Sequence, residues 1–94
     1  MADKTESAKI LTSPQIRERL ETIVSRISRL PVEEFQDDVL IREELGIDSL
    51  MAMEITASVE REFAVEINEA EMFDIRSVGE FAGFVDRRYR ETHG

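Results

Sequence analysis

Cysteine is absent from the 94 residues, and histidine occurs once, at position 93. Without cysteine there is no disulfide framework and no thiolate metal site. With a single imidazole next to the chain end, a histidine-assisted triad and a histidine metal cluster are excluded as well. Positive charge is scarce: 12 Lys and Arg stand against 21 Asp and Glu, a net charge of −9. The deficit is local. Between Glu33 and Glu80 there are 15 acidic residues and three arginines (Arg42, Arg61, Arg76), whereas the remainder carries +3. Such an acidic centre disfavours nucleic acid, whose phosphates need Lys and Arg. It favours basic protein partners and fast, salt-sensitive encounter. Long apolar runs are missing too, so no segment approaches the roughly 20 residues of a membrane-spanning helix. The start, Met1-Ala2-Asp3-Lys4-Thr5-Glu6, is polar and lacks the apolar centre of a secretion signal. A soluble cytoplasmic monomer is expected.

What remains is enough for one domain. At this length folding buries roughly 60–65% of the unfolded surface, which gives one modest core and no expectation of a deep cleft. Residues 1–11 are polar and aperiodic and read as a mobile tail, 12–90 as the folded domain, and 91–94 as a second tail that includes His93. Ser13-Pro14 marks a helix start, with Ser13 as cap and Pro14 at the first helical position. Ile16, Leu20, Ile23, Val24, Ile27 and Leu30 then follow at spacings of three and four, one apolar stripe. Pro31 to Asp48 is a long connection with apolar anchors (Phe35, Val39, Leu40, Ile41, Leu45, Ile47) that should pin it to the core. Its Asp37 and Asp38 lack the alternating ligands and central glycine of a calcium loop.

A second helix is predicted from about Ser49 to Phe63, with apolar rows Leu50, Met53, Ala57 and Ile55, Val59, Phe63. Asn68 with Glu71 makes a capping box for a short third helix ending near Ile75 and Arg76, and Ser77 with Glu80 makes another for the last. Val78, Phe81, Ala82, Val85 and Tyr89 form the last stripe. No strand-like alternation occurs. The expectation is an all-α fold, a four-helix bundle of three main helices and one short one, with a long loop between helices one and two.

The chemistry gathers at Leu45-Gly46-Ile47-Asp48-Ser49-Leu50. Gly46 permits a left-handed turn without side-chain cost, and Asp48 and Ser49 are both good helix caps. A serine there sits among unpaired backbone N–H groups at the positive end of a helix, a place that welcomes phosphate. This points to a serine that carries a phosphodiester rather than one that attacks a substrate. The nucleophile-elbow pattern Gly-x-Ser-x-Gly is absent.

This stretch resembles the attachment motif of acyl carrier proteins. The agreement extends without gaps through Glu54, Phe63, Val65-Glu66-Ile67 and Met72-Phe73-Asp74-Ile75-Arg76-Ser77-Val78, about Ser13 to Tyr89 in all. The resemblance implies a carrier rather than an enzyme, a free-standing bacterial one of the acyl-carrier bundle type. Ser49 would be esterified with phosphopantetheine by a phosphopantetheinyl transferase drawing on coenzyme A, with Asp48 and Leu50 helping to present the arm. Acyl groups would ride on the arm as thioesters. Met51, Met53, Glu54, Ala57 and Glu60 would dock basic patches of partner enzymes: acyltransferases, ketosynthases or acyl-activating ligases. Ile41, Val59, Ile67, Met72, Ile75 and Phe81 would line the gap that an attached chain enters. Met72 and Phe81 are bulky there and are expected to crowd it, so that cargo competes with core packing instead of finding a permanent cavity.

Met51 and Arg61 depart from the acidic residues usual in fatty-acid carriers. Met72-Phe73-Asp74-Ile75-Arg76-Ser77-Val78 is similar to the Leu-Phe-Asp-x-Pro-Thr-Val run of polyketide carriers. A carrier for polyketide-like or other specialised lipid assembly is the first reading, with fatty-acid synthesis second. A peptidyl or aminoacyl carrier is a further alternative, although the Gly-Gly and His common in those are here Leu45-Gly46 and Asp48. A helical interaction domain without prosthetic group would share the charge and fold but would not need Ser49.

Overall fold

Thr12, one residue ahead of the expected cap, begins the first helix in the computed structural model, which describes residues 10–94. Thr12 Oγ1 accepts from the Gln15 amide (3.3 Å) and Gln15 Oε1 from the Thr12 amide (2.9 Å), a reciprocal box that outcompetes Ser13. Helix α1 is Ser13–Ser28 and buries Ile16, Leu20, Ile23 and Val24. Arg29 closes it in the left-handed conformation, φ 69°. Ile27 and Leu30, at the end of the predicted stripe, are only partly buried. Most of the expected tail, residues 1–9, lies outside the described residues. Leu11 is not tail: its amide donates to the Tyr89 hydroxyl (3.1 Å), and its side chain packs on the core.

The long connection is pinned as its anchors require. A 3-10 turn, Val32–Glu34, leads into Phe35, which is buried. Arg17 of α1 holds the loop from outside, donating to Asp37 Oδ1 (2.7 Å) and the Phe35 carbonyl (2.9 Å) while its Nε reaches Glu21 (2.9 Å). Burial alone would lower the Arg17 pKa, but the bonds to Asp37 and Glu21 outweigh it and hold the guanidinium above its ordinary value. Farther along, residues 39–41 run antiparallel to 76–78: Ile41 N–H donates to the Arg76 carbonyl (2.9 Å) and Val78 N–H to Val39 (3.0 Å). The isolated bridge Leu40↔Ser77 is the one extended pairing among the described residues.

Helix α2 is Ser49–Phe63, capped by Asp48 and closed by Ala64 at φ 53°. Helix α3 is the short Glu69–Met72, with the Asn68–Glu71 box; it ends three residues before Ile75 because the chain turns there to reach the Ser77 cap. Helix α4 is Val78–His93, with the Ser77–Glu80 box. Residues 91–93 are therefore helix and not tail, since no glycine or proline stands between Phe84 and His93 to stop it before Gly94. His93 Nε2 lies 2.7 Å from the Phe63 carbonyl and 3.1 Å from that of Ala64, so the ring serves the unpaired end of α2. Helix α1 packs on both α2 and α4. The four-helix bundle is as expected, and its core joins α1, α2 and α4 to Phe35, Ile47, Val65 and Ile67 of the connections.

Candidate functional site

Gly46, Ile47 and Asp48 bring Ser49 to the surface. Gly46 turns at φ 70°, where open space would surround any added Cβ and only backbone strain selects glycine. Ile47 is buried, and its amide donates to the Ile41 carbonyl (3.2 Å), so the chain is fixed two residues before the serine. Asp48 is extended; its Oδ1 accepts from Met51 N–H (2.9 Å) and its carbonyl from Ala52 N–H (2.9 Å). Ser49 follows as the first residue of α2, exposed, with no partner for its own amide or that of Leu50 among the described residues. Those two N–H groups and the helix dipole favour negative charge beside the hydroxyl.

Around Ser49 the surface is apolar within an acidic segment. Leu50 is 67% exposed and Met53 60%, and Glu54 is exposed beside them. Phe73, which the sequence reading left without a role, is the most exposed of the large apolar side chains at 72%. Met51 is not part of this patch. It is half-buried against the core, because it stands one helical turn before Ile55 and two before Val59, in the inward stripe. Met51, expected among the docking residues, thus stands half inside the bundle. Ala57 is half-buried and faces a cavity. Glu60 also faces it, and its Oε2 accepts from Ile67 N–H (2.9 Å), tying the connection after α2 to the helix.

That cavity holds about 500 Å³ and reaches from Ser49 to Leu20 and Val24 of α1. Of the six residues expected to line it, Ile41, Ile67, Met72, Ile75 and Phe81 do so. Val59 does not: it is wholly buried in the core, one turn beyond Ile55. Met72 and Phe81, expected to crowd this space, stand in the wall of a cavity that is open to the surface. The loop spacing that opens it arises from the 39–41 to 76–78 pairing, a tertiary feature without a local signal.

The wall formed by α3 is held from behind by Arg88. Its Nη1 donates to the Glu66 carbonyl (2.6 Å), its Nη2 to Glu71, its Nε to Glu91 (3.3 Å), and its guanidinium lies 5.2 Å from the Phe84 ring centroid. The Arg88 bond and the Asn68 amide keep the Glu71 carboxyl below the usual range. Glu80 is likewise lowered, by the amides of Arg76 and Ser77.

Among the described residues no cluster of His, Asp and Glu is arranged to hold a metal, and no helix is long and apolar enough to cross a membrane. The family model described as a phosphopantetheine attachment site matches residues 18–85. The chain is 42% identical over 62 residues to the polyketide-8 synthase acyl carrier protein 2 of Streptomyces avermitilis, covering 66% of this chain and 71% of that one. It is 29% identical over 70 residues to an acyl carrier protein of Rickettsia bellii, covering 74% and 86%. It is also 33% identical over 64 residues to a non-reducing polyketide synthase of Emericella nidulans, covering 68% of this chain but 2% of that protein's length. The chain belongs to the phosphopantetheine attachment site family and is an acyl carrier protein, holding acyl groups on a covalent phosphopantetheine arm.

Proposed function

We propose that Ser49 Oγ is the atom that bears the arm. One observation carries this reading: Ser49 is the exposed first residue of α2, beside two unpartnered amides and at the mouth of the cavity. The residues fit the group. Two free N–H groups at a helix N-terminus suit a phosphodiester, and the cavity beyond gives an apolar destination within the arm's reach. When bound, the group supplies a terminal thiol for thioesters. The protein's own residues do the rest. Asp48 caps the helix and fixes the serine's direction, and Ile47 anchors the turn. Leu50 and Met53 offer an apolar lane, and the cavity lined by Ile41, Ile67, Met72, Ile75 and Phe81 shelters cargo from water. The chain works as a carrier with no reaction of its own. Its single imidazole, His93, is spent on the Phe63 carbonyl at the far end of α2.

Partner docking falls to Leu50, Met53, Glu54 and Phe73, an apolar patch in an acidic surround. Met51 and Glu60 serve structure first. A phosphopantetheinyl transferase loads the arm, and acyltransferases, ketosynthases or acyl-activating ligases with basic patches exchange the cargo. The protein acts in the cytoplasm as a monomer, where coenzyme A is at hand. The pathway is polyketide-like, as the Met72–Val78 run and the names of two of the relatives above suggest; fatty-acid synthesis is second. Intact mass after incubation with coenzyme A and a promiscuous transferase tests the assignment. Wild type gains one phosphopantetheine mass and Ser49→Ala gains none while keeping its helical spectrum. A modified Ser49→Ala would overturn it.

A further inference from the structure

The cavity has walls of unequal strength. Leu20 and Val24 of α1, Ile55 of α2 and Phe81 of α4 line it and belong to the buried core. Met72 and Ile75 line it from α3 and the turn that follows, and both are only half-buried. No residue of α3 is buried. Behind α3 there is no second layer of core but an open groove, bounded by Glu66, Ile67, Asn68, Glu71 and Arg88. Ile67 borders both spaces, so the wall is one residue thick there. What holds it is polar. Arg88 Nη1 donates to the Glu66 carbonyl ahead of α3 (2.6 Å), and Nη2 donates to Glu71 within it. The same guanidinium is fixed on α4 by Glu91 (3.3 Å) and by the Phe84 ring. Among the described residues the Glu71 bond is the one hydrogen bond that ties α3 itself to another helix; its remaining bonds are local.

Walls of close-packed helices do not yield to a guest, whereas a segment with few buried contacts opens first. A short acyl chain gains by burial in the space that exists, with the Arg88 bonds intact. A longer chain buries its further methylenes only by pressing α3 toward the groove. That movement parts the guanidinium from Glu71, and the lost charge-assisted bond offsets the added burial. We infer that Arg88 is a positioning residue that acts through α3: its two-handed hold on Glu66 and Glu71 keeps the cavity at its present width and favours short acyl chains over long ones. Lysine does not reproduce such a hold, because it is a point charge on a flexible stem and not a planar fork. This inference rests on Ser49 as the attachment point.

The test measures melting of the isolated protein with a hexanoyl and with a tetradecanoyl arm, each loaded from its coenzyme A thioester. Intact mass first establishes loading at Ser49; no gain there would overturn the attachment reading and this inference with it. The quantity read is the melting gap, tetradecanoyl minus hexanoyl, since a chain buried only in the folded state raises the midpoint. In Arg88→Gln the gap should widen by roughly 3–6 °C over wild type, the scale of a partly exposed ion pair in a domain of this size. Arg88→Lys should widen it as well, by less. Glu71→Gln keeps the Asn68 box and the Glu66 bond, so it should also widen the gap by less than Arg88→Gln, and it decides the matter alone if Arg88→Gln does not fold. A purely structural Arg88 would lower the hexanoyl and tetradecanoyl forms alike and leave the gap unchanged. Equal gaps in wild type and the variants, after loading is established, would overturn the inference while leaving Ser49 as the attachment point.

Discussion

The two ends of α2 are built for opposite purposes. At the Phe63 end the inward side chains are packed away from solvent: Phe63 is 2% exposed, and Val59 and Val85 are wholly buried. Tyr89 sets its edge against Phe63 with centroids 6.0 Å apart and accepts the Leu11 amide, and the His93 ring covers the last carbonyls. At the Ser49 end, fourteen residues away, Leu50, Met53 and Phe73 stand in water and a cavity of about 500 Å³ opens behind them. Dense packing and an open cavity cannot occupy the same volume. The molecule separates them along one helix, so cargo can enter at one end while the other keeps the helices together. Ile16, Leu20, Ile23 and Val24 of α1 span both ends; Leu20 and Val24 also face the cavity.

The sharpest way to break this comparison is to truncate one large side chain at each end. Phe63→Ala should cost about 3–5 kcal/mol, the range for emptying a packed aromatic site, out of roughly 5–15 kcal/mol in total. Met53→Ala should change stability by less than about 0.5 kcal/mol, as exposed positions do. Urea midpoints of the two variants measure the contrast. Comparable losses would mean that the Ser49 end is as closely packed as the other.

How much of this was legible follows the same division. Features set by neighbours in sequence were readable: the caps at Asp48, Asn68 and Ser77 each need only a side chain and an amide two or three residues on. Even the misplaced start at Thr12 carried its signal, a Thr-x-x-Gln box one residue ahead of Ser13. Met51 was readable too, since its spacing of four from Ile55 puts it inward. What stayed hidden depends on distant contacts. The Arg88 hold on Glu66 and Glu71 joins residues 22 and 17 positions apart. The cavity depends on a loop pairing 35 residues apart, and Phe73 stands out because the chain turns immediately after α3. A run of apolar letters does not distinguish a wall from a filled core.

A smaller effect is expected from the last histidine, and it sharpens what the closed end requires. His93→Ala removes a ring that meets two carbonyls at the end of α2, a contact that needs a proton on Nε2. A typical hydrogen bond contributes about 0.5–1.5 kcal/mol net, and the loss should fall in that range. The amides at the end of α4 should also exchange faster with solvent. An unchanged midpoint together with unchanged exchange would mean that residues 91–93 add nothing to the bundle.

The smallest effect concerns acid, and it acts where the wall of the cavity is fastened. Glu71 is held below its ordinary value by the Arg88 bond and the Asn68 amide, Glu80 by the amides of Arg76 and Ser77. A carboxyl whose folded pKa is depressed contributes stability that is fully present above its unfolded value. That contribution disappears as pH falls through the folded one. Both groups start from 4.5, so the melting temperature should be flat from neutral pH down to that region and then decline. Glu80→Gln separates this contribution from general acid unfolding, because glutamine completes the same capping box without titrating. The variant should melt slightly lower than wild type at pH 7 and lose less on going to pH 3. Glu71→Gln should do the same while also loosening Arg88 from α3, so chemical-shift changes at Met72 and Ile75 should accompany it. Melting curves of both variants that run parallel to wild type across pH 3–7 would show that these two boxes are held by geometry alone, and that the acid lability of the bundle arises elsewhere among its carboxylates.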